Sequence, residues 1–73
     1  QGFANAQYNL GSMYAKGEGV AKDEILSYLW WNIAGSSGHS KAELNKAILE
    51  KKMSSSQIEL AREMAIFIKD SFL

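Results

Sequence analysis

Apolar and polar positions alternate with the period of an α-helix along most of the chain. The first predicted helix spans about residues 3–16 and ends before Gly17, a residue that suits the left-handed conformation found after helix ends. Its apolar residues recur at helical spacing and are Ala6, Leu10, Met13 and Tyr14. The pattern therefore predicts an amphipathic helix followed by a short Gly-containing connection.

The second predicted helix, about residues 21–35, is apolar over more than one face. Asp23 and Glu24 lie in its first turn, where acidic groups interact favourably with the helix dipole. The apolar residues are Ile25, Leu26, Leu29, Trp30, Ile33 and Ala34. A helix with so wide an apolar surface is expected to be packed on two sides.

Two further helices are predicted after the break at residues 36–38. Ser40 and Glu43 have the spacing of a capping box, so the third helix should begin near Lys41. We expect its inward residues to be Leu44, Ala47, Ile48 and Leu49.

The fourth helix has two overlapping capping boxes, which begin at Ser54 and Ser56, and it continues to about Ser71. Its predicted inward stripe is Ile58, Ala61, Ala65, Ile68 and Phe72, beside a second stripe of Leu60, Met64 and Phe67. No Pro interrupts the four segments, so the predicted fold class is all-α.

A short phrase near the start of the chain recurs 36 residues later, with Gly2-Phe3-Ala4-Asn5-Ala6 echoed by Gly38-His39-Ser40-Lys41-Ala42. A period of this length is typical of helical solenoids, in which each unit buries its apolar face against a neighbour. It favours a surface that holds other molecules over a catalytic pocket.

Composition narrows the possible functions. The 73 residues include eight basic and eight acidic side chains, a balance that disfavours nucleic-acid binding. No apolar run approaches the roughly 20 residues that span a bilayer. The chain contains no Cys, which is compatible with the cytoplasm, although no targeting signal is visible and the compartment is not assigned. Because it begins with Gln1, we expect the chain to be a segment of a longer protein.

The first half of the chain resembles a Sel-1-like repeat, a relative of the tetratricopeptide repeat. The small residues Ser27 and Gly35 stand where the family usually has Ala. The matching positions are Ala6, Leu10, Gly11, Tyr14, Gly17, Gly19, Val20, Asp23, Trp30, Ala34 and Gly38. The resemblance implies an α/α solenoid of antiparallel helix hairpins, with about four helices in this chain.

The resemblance fades beyond Ala42. We expect residues 1–38 to form one full repeat, and residues 39–73 to form a degenerate repeat, a C-terminal capping hairpin at the end of an array.

A polar stripe on the first helix supplies the candidate partner-binding residues. In related folds the first helices line the surface that receives partners, so the resemblance implies contacts from Asn5, Asn9, Ser12 and Lys16, with Tyr8 at the edge. Adjacent helical residues lie about 100° apart, so only one of the two tryptophans should be buried. We expect Trp30 to fill the space between hairpins and Trp31 to be partly exposed, as a contact residue.

No catalytic, cofactor-binding or metal-binding constellation is predicted. Gly17-Glu18-Gly19 follows a helix and is interpreted as a cap, and His39 has no Cys or paired Asp beside it. The leading hypothesis is a non-enzymatic protein–protein interaction module, a scaffold or adaptor that binds a protein or peptide. The alternatives are an enzyme-associated role such as β-lactam binding or hydrolysis, known for cysteine-rich relatives, and a structural cap that self-associates through exposed repeat edges.

Overall fold

The computed structural model describes residues 2–72 and contains four α-helices joined by short turns. They are α1 (Gly2–Lys16), α2 (Glu24–Ser36), α3 (Ser40–Glu50) and α4 (Ser55–Phe72). The predicted all-α class and the four-helix count are confirmed for this part of the chain. Helix α2 is central, because it packs against each of the other three.

The connection between α1 and α2 is held by hydrogen bonds at both ends. Gly17 has a φ of +72°, and the N–H groups of Gly17 and Glu18 both donate to the carbonyl of Met13. Asp23 is the N-cap of α2, and its side chain accepts a hydrogen bond of 3.0 Å from the N–H of Leu26. Because Asp23 caps the helix, α2 begins at Glu24, later than the predicted residue 21.

The third helix begins with a different cap from the predicted one. Nδ1 of His39 accepts a hydrogen bond of 3.2 Å from the N–H of Ala42, so His39 and not Ser40 is the N-cap of α3. At α4 the first of the two predicted capping boxes forms. Ser54 N–H donates to Gln57 Oε1 at 2.9 Å, and Gln57 N–H donates to Ser54 Oγ at 3.1 Å.

Helix α2 separates two groups of buried side chains, as its wide apolar surface predicts. One group combines residues of all four helices and the turn after α3, and contains Tyr28, Trp31, Ala34, Ala42, Leu49, Met53 and Ala61, with Tyr8 packed against it. The other joins α2 to α4 and contains Leu29, Ile33 and Ala65, with Trp30 packed against it. Trp30 thus lies where α2 meets α4.

The crossing of α1 over α2 is close because Gly11 has no side chain. A Cβ atom at Gly11 would lie 2.5 Å from Cδ1 of Trp31 and 3.1 Å from the carbonyl oxygen of Ser27. Neither neighbour can move easily, because the Trp31 side chain is only 6% exposed and the carbonyl oxygen of Ser27 is part of the backbone of α2. A glycine in mid-helix costs about 0.5–1 kcal/mol relative to Ala, and this contact explains its presence.

The inward face of α1 differs from the predicted one. Ala4, Gln7 and Gly11 are buried, whereas Ala6 and Met13 are exposed. The physical reason is the bulk of the Trp31 indole, which needs the bare backbone of Gly11 against it and so determines which face of α1 meets α2.

The inward faces of α3 and α4 also need correction. On α3, Leu49 is buried as predicted and Ala42, in the first turn, is buried as well, but Leu44, Ala47 and Ile48 are exposed. Small Ala42 lets α3 approach α2 closely, while Glu50 on the same side reaches Tyr28. On α4, Ala61 and Ala65 are buried as predicted. Phe72 is 73% exposed, because it lies one turn beyond Ile68, which still packs against the buried residues of α2.

None of the helices in residues 2–72 combines the length and the apolar character required to cross a membrane.

Substituting Gly11 by Ala should destabilise the fold. We expect Gly11→Ala to lower the free energy of unfolding by about 1–3 kcal/mol, because the added methyl group overpacks the crossing with Trp31. Urea unfolding followed by far-UV circular dichroism measures the change.

Gly35 provides the matched control. A Cβ atom there would meet the side chain of Glu43, whose carboxylate is half exposed and can turn away. Gly35→Ala should therefore change the free energy of unfolding by less than about 0.5 kcal/mol. Equal effects of the two substitutions would contradict the close packing at Gly11.

Candidate functional site

A groove runs between α1 and α3 and is floored by α2. Tyr8, Ser12, Ala15 and Lys16 line it from α1, and Asn45, Ile48 and Leu49 line it from α3. Trp31 and Glu24 of α2 complete it together with Lys22 and Lys52, which lie just before α2 and just after α3. This groove has a volume of about 280 Å³ and is called the α1–α3 groove below.

Three rings are stacked at one end of the α1–α3 groove. The ring of Tyr8 lies between the indole of Trp31, with centroids 6.3 Å apart, and the imidazole of His39, with centroids 4.4 Å apart. Trp31 Nε1–H donates to the carbonyl of Tyr8 at 3.1 Å, and Asn45 Nδ2–H donates to the Tyr8 hydroxyl at 3.2 Å. Tyr8 therefore contacts α2, α3 and the turn between them, which makes this end of the groove rigid.

The charged residues of the α1–α3 groove are mostly basic. Lys16, Lys22 and Lys52 line it with a single acid, Glu24. The ion pairs found within residues 2–72 are those of Lys46 with Glu43 and of Arg62 with Glu50. None of the three groove lysines is thus neutralised by a carboxylate of the described chain.

The structure brings together four of the six predicted contact residues. Tyr8, Ser12, Lys16 and Trp31 all line the α1–α3 groove. Asn5 lies instead beside the turn before α3, in a small pocket lined by Ala4 and residues 37–40. Asn9 is exposed and lines neither of these surfaces.

The expected exposure of Trp31 is wrong. Trp31 is 6% exposed and Trp30 is only half buried, the reverse of the predicted assignment. The cause is Gly11, whose bare backbone makes room for the indole of Trp31 between α1 and α2. Trp31 still forms part of the groove floor, and its role as a contact residue stays a prediction.

Three residues on the α3 side of the groove were not predicted as contact residues. They are Asn45, Ile48 and Lys52. The 36-residue period could have found them, because it places them in register with Asn9, Ser12 and Lys16. The weak sequence similarity beyond Ala42 obscured this relation, although α3 occupies the position that α1 has in the first hairpin.

A second polar cluster joins α2, α3 and α4. The hydroxyl of Tyr28 donates to Oε2 of Glu50, and Nη2 of Arg62 lies 3.5 Å from the same oxygen. Burial raises the pKa of Tyr28 above its ordinary value, and the hydrogen bond to Glu50 raises that pKa further. Because Tyr28 is fully buried, its hydroxyl does not meet solvent, and the cluster is structural.

Within residues 2–72, no group of three His, Asp or Glu side chains is arranged to hold a metal ion.

The raised pKa of Tyr28 should make the fold less stable at alkaline pH. Above about pH 10 the unfolded chain releases the Tyr28 proton while the folded chain keeps it, so stability is lost as pH rises through the folded pKa. Below the pKa of the unfolded chain this contribution is fully present.

The Tyr28→Phe variant should not show this part of the loss of stability at alkaline pH. Urea unfolding gives the free energies of unfolding of both proteins at about pH 9 and pH 11. Lysine deprotonation affects both proteins alike, so its effect largely cancels in the difference between them. We expect the difference in stability between wild type and variant to shrink at the higher pH. A difference that stays constant would mean that Tyr28 is not buried in its neutral form.

Comparison with known families gives one result for this chain. The family model of the Sel1 repeat matches residues 4–39, which include α1, α2 and the turn that leads to α3. Curated proteins and solved structures gave no match. The matched segment contains Gly11, Gly17 and Asp23, which make the close helix crossing and the two caps described above. The chain therefore carries a Sel1 repeat and belongs to the Sel-1-like repeat family.

Proposed function

We propose that this chain is a non-enzymatic protein–protein interaction module, of the scaffold or adaptor kind, which holds its partner in the α1–α3 groove. Sel1 repeats generally mediate protein–protein interactions. The observation that carries the proposal is the groove itself. It presents the half-buried ring of Tyr8, which Trp31 and His39 hold in place, and its walls come from both hairpins. Aromatic residues held in place by the fold are common anchors at protein interfaces.

The second hairpin has a supporting role in this proposal. We regard residues 1–38 as the repeat and residues 39–73 as a capping hairpin, whose helix α3 forms one wall of the groove. The hydrogen bond from Asn45 to Tyr8 supports this assignment, because it connects the α3 wall to α1 of the repeat.

A comparison of two α1 variants tests the groove. Ser12 is half buried in the groove, and Asn9 lies on the same helix outside it. We expect Ser12→Arg to fill the groove and to abolish retention of a partner from a lysate of the source organism, while Asn9→Arg retains it. The retained protein is identified by mass spectrometry, purified and titrated against wild type and both variants by isothermal calorimetry.

The outcomes separate the candidate surfaces. Loss in Asn9→Arg alone would place the contact on the outer polar stripe that the sequence predicted. Equal binding by both variants and wild type would reject α1 as the contact surface. Melting curves of both variants show whether the fold is intact.

Self-association is a second candidate function, favoured by the exposed apolar face of α4. Leu60 is 47% exposed and Phe67 is 63% exposed, and with Met64 and Ile68 they line a shallow and largely apolar depression. Exposed patches of this kind often mark protein interfaces. The face lies on α4, apart from the residues of the α1–α3 groove.

If α4 mediates self-association, the melting temperature should rise with protein concentration. Phe67→Glu should remove this dependence and give a monomer in sedimentation equilibrium. Ile66→Glu is the matched control, because Ile66 is 56% exposed on the same helix and lies outside the depression. A monomeric wild type at all concentrations would contradict this candidate.

A further inference from the structure

We propose that the α1–α3 groove selects an acidic peptide segment, with carboxylates that pair with Lys16, Lys22 and Lys52 and an apolar side chain that packs on Ile48. The inference rests on the proposed function, since it assigns a chemistry to the partner of the same groove.

The charge of the groove points to an acidic partner. The chain as a whole is neutral, with eight basic and eight acidic residues, yet the groove takes three of the basic residues and one of the acidic ones. The side chains of Lys16, Lys22 and Lys52 are all exposed and unpaired within residues 2–72. Complementary charge favours acidic partners and excludes basic ones, because like charges brought together are strongly unfavourable.

The free hydrogen-bond donor of Tyr8 in the groove also favours an acidic partner. The Tyr8 hydroxyl accepts a hydrogen bond from Asn45, so its own hydrogen is free to be donated to a carboxylate oxygen. Ser12 Oγ already donates to the carbonyl of Tyr8 and is left with acceptor capacity only. A single tyrosine hydroxyl beside three ammonium groups supplies donors, which is what carboxylates require.

The groove also offers an apolar contact beside its charges. Ile48 is 50% exposed, and it lines the groove together with buried Leu49 and the floor residue Trp31. Covering the side chain of Ile48 removes apolar surface from water, and this contribution is independent of charge. A segment in which acidic and apolar residues alternate meets both kinds of surface.

Nucleic acid is a polyanion too, but it fits the groove less well. Glu24 lies among the three lysines, and the Trp31 indole is 6% exposed, which leaves little of its face for base stacking. Single-stranded DNA is therefore included in the test as a competitor.

Three fluorescein-labelled peptides of equal length test the selectivity by fluorescence anisotropy. In the first, Glu alternates with Leu; in the second Gln replaces Glu, and in the third Lys replaces Glu. We expect the acidic peptide to bind at least tenfold more tightly than the neutral one, with an affinity that falls as salt is added. The basic peptide should show no binding.

Two pairs of variants locate the contact. Lys52→Glu should weaken binding of the acidic peptide about three- to tenfold. The neighbouring Lys51→Glu changes the net charge equally, lies outside the groove, and should weaken binding less than twofold. Ile48→Ala should likewise weaken binding, while Ile66→Ala, on the exposed surface of α4, should not.

Each remaining outcome overturns the inference. Equal affinity for the acidic and neutral peptides would show that charge does not select the partner. Equal losses in Lys51→Glu and Lys52→Glu would mean a diffuse attraction without a site. Full competition by oligothymidylate at equal charge would indicate a general polyanion surface. If the acidic peptide fails to bind while Ser12→Arg still abolishes partner retention, the acidic selectivity is wrong and the proposed function stands.

Discussion

The contact between the Trp31 indole and the bare backbone of Gly11 is the constraint on which the other features depend. It sets how closely α1 approaches α2, and it directs the indole N–H to the carbonyl of Tyr8. That bond in turn holds the Tyr8 ring between Trp31 and His39. Since His39 also caps α3, the crossing of α1 over α2 is linked through Tyr8 to the start of the third helix.

Helix α2 carries two kinds of interaction, one with α1 and one with α3 and α4. Toward α1 and the groove it presents Trp31, whereas toward α3 and α4 it presents Tyr28, whose hydroxyl is bonded to Glu50. The buried hydroxyl of Ser27 has no hydrogen-bond partner within residues 2–72, at a position where the family usually has Ala. Unsatisfied buried groups cost stability, so the burial of apolar surface around α2 must offset this term as well.

Much of the fold follows from local patterns in the sequence. The helical period, Gly17 and the capping box at Ser54 act through contacts within a few residues, and these features formed as predicted. The faces of the helices did not, because they depend on distant contacts. The sequence places two adjacent tryptophans on α2, but only the gap above Gly11 decides that Trp31 is the buried one. The groove could not be predicted from local patterns either. Its two walls come from α1 and α3, whose corresponding residues lie 36 positions apart in the sequence.

The two tryptophans have a spectroscopic consequence. They are the only indoles in the chain, and they pack against different groups of buried side chains on neighbouring faces of α2. Trp31 forms the floor of the groove, while Trp30 packs where α2 meets α4. With either one replaced by phenylalanine, the fluorescence of the other reports on a single interface. The chain thus contains its own optical probes, one for the surface that would hold a partner and one for the junction between its two hairpins.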